Sequence, residues 1–172
     1  MVKNVLYFGS DLVSVMTLHS LMSRAKDHAF KLKVVCPPYR KPKTPLAELH
    51  KYLDQNGIPI QFNFGGSDDK KVIWNNLKES IAENENDLGV IASFGHMIPG
   101  DIIDSFDKGM LVMHPSLLPK FRGACPIQHA ILEGETKTGV SIIEISKNKF
   151  DAGDILWQKE MPMDRTTRFD EL

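Results

Sequence analysis

The residues best placed to do chemistry lie in His114-Pro115-Ser116-Leu117-Leu118-Pro119-Lys120-Phe121-Arg122-Gly123. An apolar run, Met110-Leu111-Val112-Met113, ends there in a titratable imidazole and a proline-stiffened turn. Open α/β sheets carry their ligands just beyond the carboxyl ends of strands, which is where this imidazole falls. Three loops at expected strand ends, 93–99, 114–123 and 147–154, contribute His96, His114, Asp151 and Asp154. A histidine beside an aspartate is an acid–base unit, because the carboxylate orients the ring and raises its basicity. No GxSxG elbow occurs, which disfavours serine hydrolysis. Metal binding lacks a pattern, since no HxH, HExxH or HxxxH spacing occurs among the six histidines. His19, His28, His50 and His129 fall on helices or near turns and read as surface or half-buried residues. On local pattern alone, a strand–loop–helix connection with one incidental histidine stays equally open.

The elements that must position these residues alternate along the chain. Residues 4–9 read as a strand ending at Gly9-Ser10-Asp11. A helix capped by Ser10 or Asp11 follows, with Leu12, Val15, Met16, Leu18, Leu21 and Met22 apolar. GxGxxG is absent from this opening, so a dinucleotide site is not expected. Strands are expected at 32–36, 58–62, 88–93, 109–113, 139–146 and 155–159. Helices are expected at 45–55, 68–83 (Val72, Ile73, Leu77 and Ile81 on one face), 100–106 and 126–133, with a last one starting at Thr166 or Thr167. Pro45 suits a first helical position and Gly57 a helix end. The pattern predicts a three-layer, Rossmann-like α/β sandwich with a mostly parallel sheet. Between strand and helix, Pro37-Pro38-Tyr39-Arg40-Lys41-Pro42-Lys43 is a basic loop: a solvated connector, or a small patch for phosphates.

The bulk numbers narrow the class. At 172 residues the chain suffices for one sizeable core. Its 42% hydrophobic and 25% charged residues are those of an ordinary soluble domain. A net charge of −1 excludes binding nucleic acid by overall charge, so an anionic partner must meet a local patch. Cys36 and Cys125, without CxxC spacing, read as reduced thiols. No apolar run approaches the ~20 residues of a membrane span, and Val5-Leu6-Tyr7-Phe8 is too short for a secretory signal. An arginine-rich transit peptide is also missing, so an organellar precursor would have lost it.

His114 through Gln128, with Thr138-Gly139-Val140-Ser141-Ile142 and Asp151-Ala152-Gly153-Asp154, resembles the formyltransferases that use 10-formyltetrahydrofolate. Within that family the opening Gly9-Ser10-Asp11, the segment Ser93-Phe94-Gly95-His96-Met97-Ile98-Pro99 and Pro126-Ile127-Gln128 resemble the methionyl-tRNA branch. The loop from Lys147 to Phe150 resembles its mitochondrial form. The resemblance implies a mitochondrial-matrix monomer that passes a formyl group from 10-formyltetrahydrofolate, as co-substrate, to the amino group of initiator methionyl-tRNA, without metal or membrane. It implies that residues 1–172 form the catalytic domain, cut short at its end and lacking the family's small tRNA-binding β-barrel. His114 and Asp151 match two members of the family's Asn-His-Asp set. His114 would stabilise the oxyanion and move protons, and Asp151 would set its ionisation and hold a water. Phe94, Met97, Ile98 and the 147–151 loop would border the pterin. The turn Ser116, Leu117, Leu118, Pro119 would hold the folate, with a cis bond before Pro119. Arg40, Lys41 and Lys43 would reach the tRNA. The family's Asn, two residues before the histidine, is Val112 here. Valine donates no hydrogen bond, so two alternatives stay open beside transfer: hydrolysis of the formyl donor, and a folate-binding relative without turnover.

Overall fold

A computed structural model describes residues 2–28, 30–38, 45–65, 67 and 69–172. They form two compact units, Met1–Met110 and Leu111–Leu172. The architecture is α/β of the Rossmann kind with a mostly parallel sheet, as the alternation of elements predicts.

In the first unit β1 (Asn4–Gly9), β2 (Lys31–Cys36), β3 (Ile60–Asn63) and β4 (Leu88–Ala92) run parallel in the order β3-β2-β1-β4. After them in turn come α1 (Leu12–His28), α2 (Pro45–Asn56), α3 (Lys70–Ala82) and the short α4 (Gly100–Ile103). A central parallel strand has no solvent face, and accordingly Val5, Leu6, Tyr7 and Phe8 of β1 are all buried. Each such side chain contributes ~1.5–3 kcal/mol by leaving water. Asp87 ties the start of the unit together, its carboxylate accepting the backbone N–H groups of Lys3 and Asn4 at 2.8 Å each. These two donors hold the Asp87 carboxyl below the usual carboxylate range.

Two helical faces differ from expectation. In α1, Leu12 and Met16 are exposed while Ser14 and Leu18 are buried. The cap explains the rotation. Asp11 Oδ1 accepts from Ser14 N–H at 3.1 Å, and the Asp11 N–H donates back to Ser14 Oγ at 3.0 Å. The Ser14 carbonyl then takes the hydroxyl of buried Tyr7 at 2.6 Å, so the Ser14–Leu18 stripe turns inward. In α3, capped by Asp69 on Lys71 N–H, the buried stripe is Ile73, Leu77 and Ile81. Val72 is exposed because one residue off a stripe is ~100° round the helix. Gly57, with φ +62, closes α2 as expected.

In the second unit β5 (Met110–His114), β6 (Lys137–Glu144) and β7 (Ile155–Pro162) are antiparallel in the order β5-β6-β7. The ten-residue link between β6 and β7 is too short for a parallel crossover, which needs a dozen residues or more, so these strands fold back on one another. α5 (Pro126–Leu132) has Pro126 at its first position and buries Pro126, Ile127 and Ala130. The helix expected from Thr166 is a single 3₁₀ turn, Phe169–Glu171. Asp164 explains its late start: its carboxylate accepts from Thr166 N–H at 2.7 Å and from the Thr166 hydroxyl at 2.6 Å, a local turn that competes with helix. No helix among the described residues is long and apolar enough to cross a membrane.

Candidate active site

His114 ends β5, a strand whose register against β6 sets Val112 opposite Ile143 and His114 opposite Ser141. Strand residues two apart share a face, so Val112 and His114 point the same way. The imidazole is 5% exposed, and both ring nitrogens are engaged. Nε2 lies 2.8 Å from the Phe121 carbonyl oxygen. A carbonyl only accepts, so Nε2 carries a hydrogen. Nδ1 faces Asp151 Oδ2 at 3.4 Å, with both side chains largely withdrawn from water. With Nε2–H given to the carbonyl, Nδ1 donates to Asp151 only when the ring holds both protons. The two contacts are unequal. The first has the length of a good hydrogen bond and the second is longer than one, so Nδ1 is the nitrogen with room for another partner.

Irregular backbone holds the pair in place. Phe121, Gly123 and Cys125 have φ of +58, +86 and +57. Left-handed φ is uncommon outside glycine, and rarest at a bulky side chain such as Phe121. This alternation directs the Phe121 carbonyl to the imidazole and the Gly123 N–H to Asp151 Oδ2, at 2.9 Å. Asp151 itself has φ +49, a conformation aspartate tolerates better than most residues. Two residues on, Gly153 sits against the end of β6. A Cβ there would lie 1.7 Å from the Glu144 carbonyl oxygen, so only glycine fits. Its neighbour Asp154 accepts Glu144 N–H at 3.0 Å through its carbonyl, while the Asp154 side chain stays exposed.

The expected turn follows His114 directly. The Leu118–Pro119 bond is cis, as expected. Ser116 and Leu118 are buried, Leu117 is half-buried and Pro119 exposed. Ser116 N–H donates to the His114 carbonyl at 2.9 Å, and its hydroxyl donates to the Lys120 carbonyl at 2.7 Å.

The second unit thus brings together His114, Asp151 and Ser116–Pro119. Phe94, Met97 and Ile98 belong to the first unit. Phe94 and Ile98 are 3% and 4% exposed, and Phe94 packs edge-on against Phe8 and Phe64, with centroids 5.4 and 5.0 Å away. Of the three, Met97 is the exposed side chain, at 40%. His96, the other candidate base, lies against Phe64 with ring centroids 4.6 Å apart and the planes tilted by 45°. Burial, reinforced by the charge of Lys70, holds its imidazole below the ordinary histidine value. Arg40, Lys41 and Lys43 lie outside the described residues. Among the described residues no group of three or more His, Cys, Asp or Glu side chains is arranged to hold a metal ion.

Sequence reasoning missed the backbone partners, Phe121 C=O and Gly123 N–H, and the steric role of Gly153. The one available signal was Gly123 and Gly153 closing the two motifs that carry His114 and Asp151.

Residues 3–172 match the family model described as formyl transferase. Among curated proteins, the chain is 33% identical over 163 residues to human mitochondrial methionyl-tRNA formyltransferase, spanning 92% of this chain and 38% of that one. It is 34% identical over 171 residues to the methionyl-tRNA formyltransferase of Ehrlichia chaffeensis, spanning 98% and 54%. It therefore spans about half or less of the length of these relatives. Among solved structures, phosphoribosylglycinamide formyltransferase from Bacillus halodurans superposes with a TM-score of 0.80 at 20% identity, covering 98% of this chain and 84% of that one. A match that runs nearly end to end and takes in both the His114 turn and the Asp151 loop places this chain in the formyl transferase family.

Proposed function

We propose that the protein transfers a formyl group from 10-formyltetrahydrofolate to the amino group of methionyl-tRNA. The observation that carries the reading is the buried His114–Asp151 pair, held by Phe121 C=O and Gly123 N–H. The names of the relatives at 33–34% identity support the acceptor, and those of the mitochondrial ones support a mitochondrial site. In the reaction the amine attacks the formyl carbon, and the carbonyl oxygen gains negative charge. The nitrogen must then lose a proton before the folate nitrogen leaves with one. Nδ1 of a doubly protonated His114 supplies a hydrogen bond to that oxygen, displacing the long contact to Asp151. Asp151 keeps its Gly123 N–H and takes the amine proton through a water, returning it by the same route to the folate nitrogen as that nitrogen leaves. The turn Ser116–Pro119 holds the folate, and Met97 is the open side chain among the three expected beside the pterin. Arg40, Lys41 and Lys43 are assigned to the tRNA.

Val112 favours a second reading. Lacking a donor two residues before His114, the site has one fewer group to stabilise the oxyanion, a deficit of ~10²–10³ in rate. Hydrolysis of the same donor, with water in place of the amine, uses the same pair. One experiment separates the readings. The protein is incubated with 10-formyltetrahydrofolate, with and without methionyl-tRNA, and tetrahydrofolate release is followed. Release that depends on the tRNA supports transfer. Release without it supports hydrolysis, and no release under either condition overturns both.

A further inference from the structure

We infer that Ser141 and Gln158 are positioning residues that lock the Ser116–Pro119 turn in the shape a folate would meet. The inference rests on the proposed function for the ligand, and on geometry alone for the lock. Ser141, fully buried on β6 opposite His114, makes every hydrogen bond a hydroxyl can make. Its one hydrogen goes to the Ser116 carbonyl at 2.6 Å. Its two lone pairs take the Leu118 N–H at 3.0 Å and the Gln158 Nε2 at 2.8 Å. The second Nε2 hydrogen of Gln158 goes to the Leu118 carbonyl at 2.9 Å. This closed set fixes the orientation of the amide. With the Ser141 hydrogen spent on Ser116, both atoms facing Gln158 are acceptors, and only the NH₂ end can face them.

Nothing in the secondary structure requires such a set. Gln158 lies on β7, a mostly exposed edge strand, yet its head group reaches back across β6 to the backbone at Leu118. Side chains from two neighbouring strands, β6 and β7, thus grip the carbonyl of Ser116 and both backbone polar groups of Leu118. The residue that the grip places, Leu118, precedes the cis bond to Pro119.

Two variants test this on the full chain. Ser141→Ala removes the acceptor of the Leu118 amide. Gln158→Glu keeps size and stem on an exposed strand while replacing both donated hydrogens with oxygen, so it folds even if the first does not. Amide hydrogen exchange at Leu118, equilibrium binding of tetrahydrofolate and the thermal midpoint are measured together. The expected result is faster exchange at Leu118 with the β5–β6 ladder still protected. Tetrahydrofolate should bind at least about tenfold more weakly, as the loss of two hydrogen bonds implies. A merely structural role would lower the folded fraction and leave the affinity of the folded protein unchanged. Wild-type affinity in a folded Gln158→Glu protein therefore overturns the inference, as does unchanged exchange at Leu118 in both variants. Wild-type protein that binds no tetrahydrofolate refutes the proposed function instead, and the exchange data still decide the lock.

Discussion

Replacing Gly153 by alanine tests whether the Asp151 loop is held where the chemistry needs it. The added Cβ would meet the Glu144 carbonyl oxygen at 1.7 Å and its carbon at 2.7 Å. Non-bonded heavy atoms rest at roughly 3.5–4 Å, so the loop must retreat by more than about 1 Å. The nearest casualty is the hydrogen bond from Glu144 N–H to the Asp154 carbonyl, now 3.0 Å, worth ~1 kcal/mol net. Backbone displacement at a tight approach adds ~1–3 kcal/mol, as overpacking does elsewhere. Asp151 sits two residues away and holds Gly123 N–H at 2.9 Å, so the same retreat pulls its carboxylate from His114. A misplacement of ~1 Å at reacting groups costs about 10²-fold in rate. We therefore expect Gly153→Ala to lose ~2–4 kcal/mol in urea unfolding and ~10²-fold in tetrahydrofolate release, measured where the variant is still folded. Wild-type stability together with wild-type turnover would refute the steric argument, because the clash leaves no route to both.

Three other outcomes follow from the same geometry. Val112→Asn sets an amide on the face of His114, opposite Ile143, and should raise kcat for formyl transfer by up to ~10²–10³ with little change in KM; an unimproved kcat with ~1–3 kcal/mol lower stability would mean the amide is buried without a partner. Asp151→Asn still accepts the Gly123 N–H but presents no charge to His114, so turnover should fall at least ~10²-fold while the melting temperature moves little. Asp87→Asn addresses acid stability: the folded carboxyl is held below its ordinary value of 3.8, so its contribution is present above that pH and is lost as the pH falls through the lower folded value. Acid titration should show the wild type losing stability relative to the variant in that window, and parallel curves would remove Asp87 from the account.

The alternation of apolar runs and turns made the parallel unit legible, because a central strand such as β1 advertises its burial in consecutive apolar residues. His114, Asp151 and the cis turn were legible as a motif, and side chains carry motifs. What stayed hidden was carried by backbone. The Phe121 carbonyl and Gly123 N–H have no letter in a sequence, and the left-handed φ of Phe121 contradicts the preference of its residue type. Ser14, Ser141 and Gln158 were passed over for a related reason. Each is a polar residue where periodicity expects none or assigns it to solvent, and its partner lies across a strand or at a helix cap. The inward turn of Ser14 in α1 shows that a cap can outweigh two apolar residues in choosing a helix face.

The separation of these parts bears on what Val112 means. The proposed acid–base pair depends on backbone at 121–123 and 151–153, whereas the donor that Val112 lacks depends on one side chain. Loss of that donor removes ~3–4 kcal/mol of transition-state stabilisation. In the proposed function the pair would supply its own ~10²–10⁴-fold, and enzymes reach accelerations of 10⁶ and above by adding positioning to such groups. A site that has only lost its amide therefore keeps most of its means of turnover. Under the proposed function the aspartate held at positive φ against a buried histidine, and the glycine that the closeness of that loop requires, have a use that folate binding alone does not give them. Backbone strain of ~1–3 kcal/mol, as at Phe121, clusters where function holds it in place. Phe121 and Asp151, two of the four non-glycine residues with left-handed φ among the described residues, are the ones that meet His114, which supports placing the proposed chemistry there.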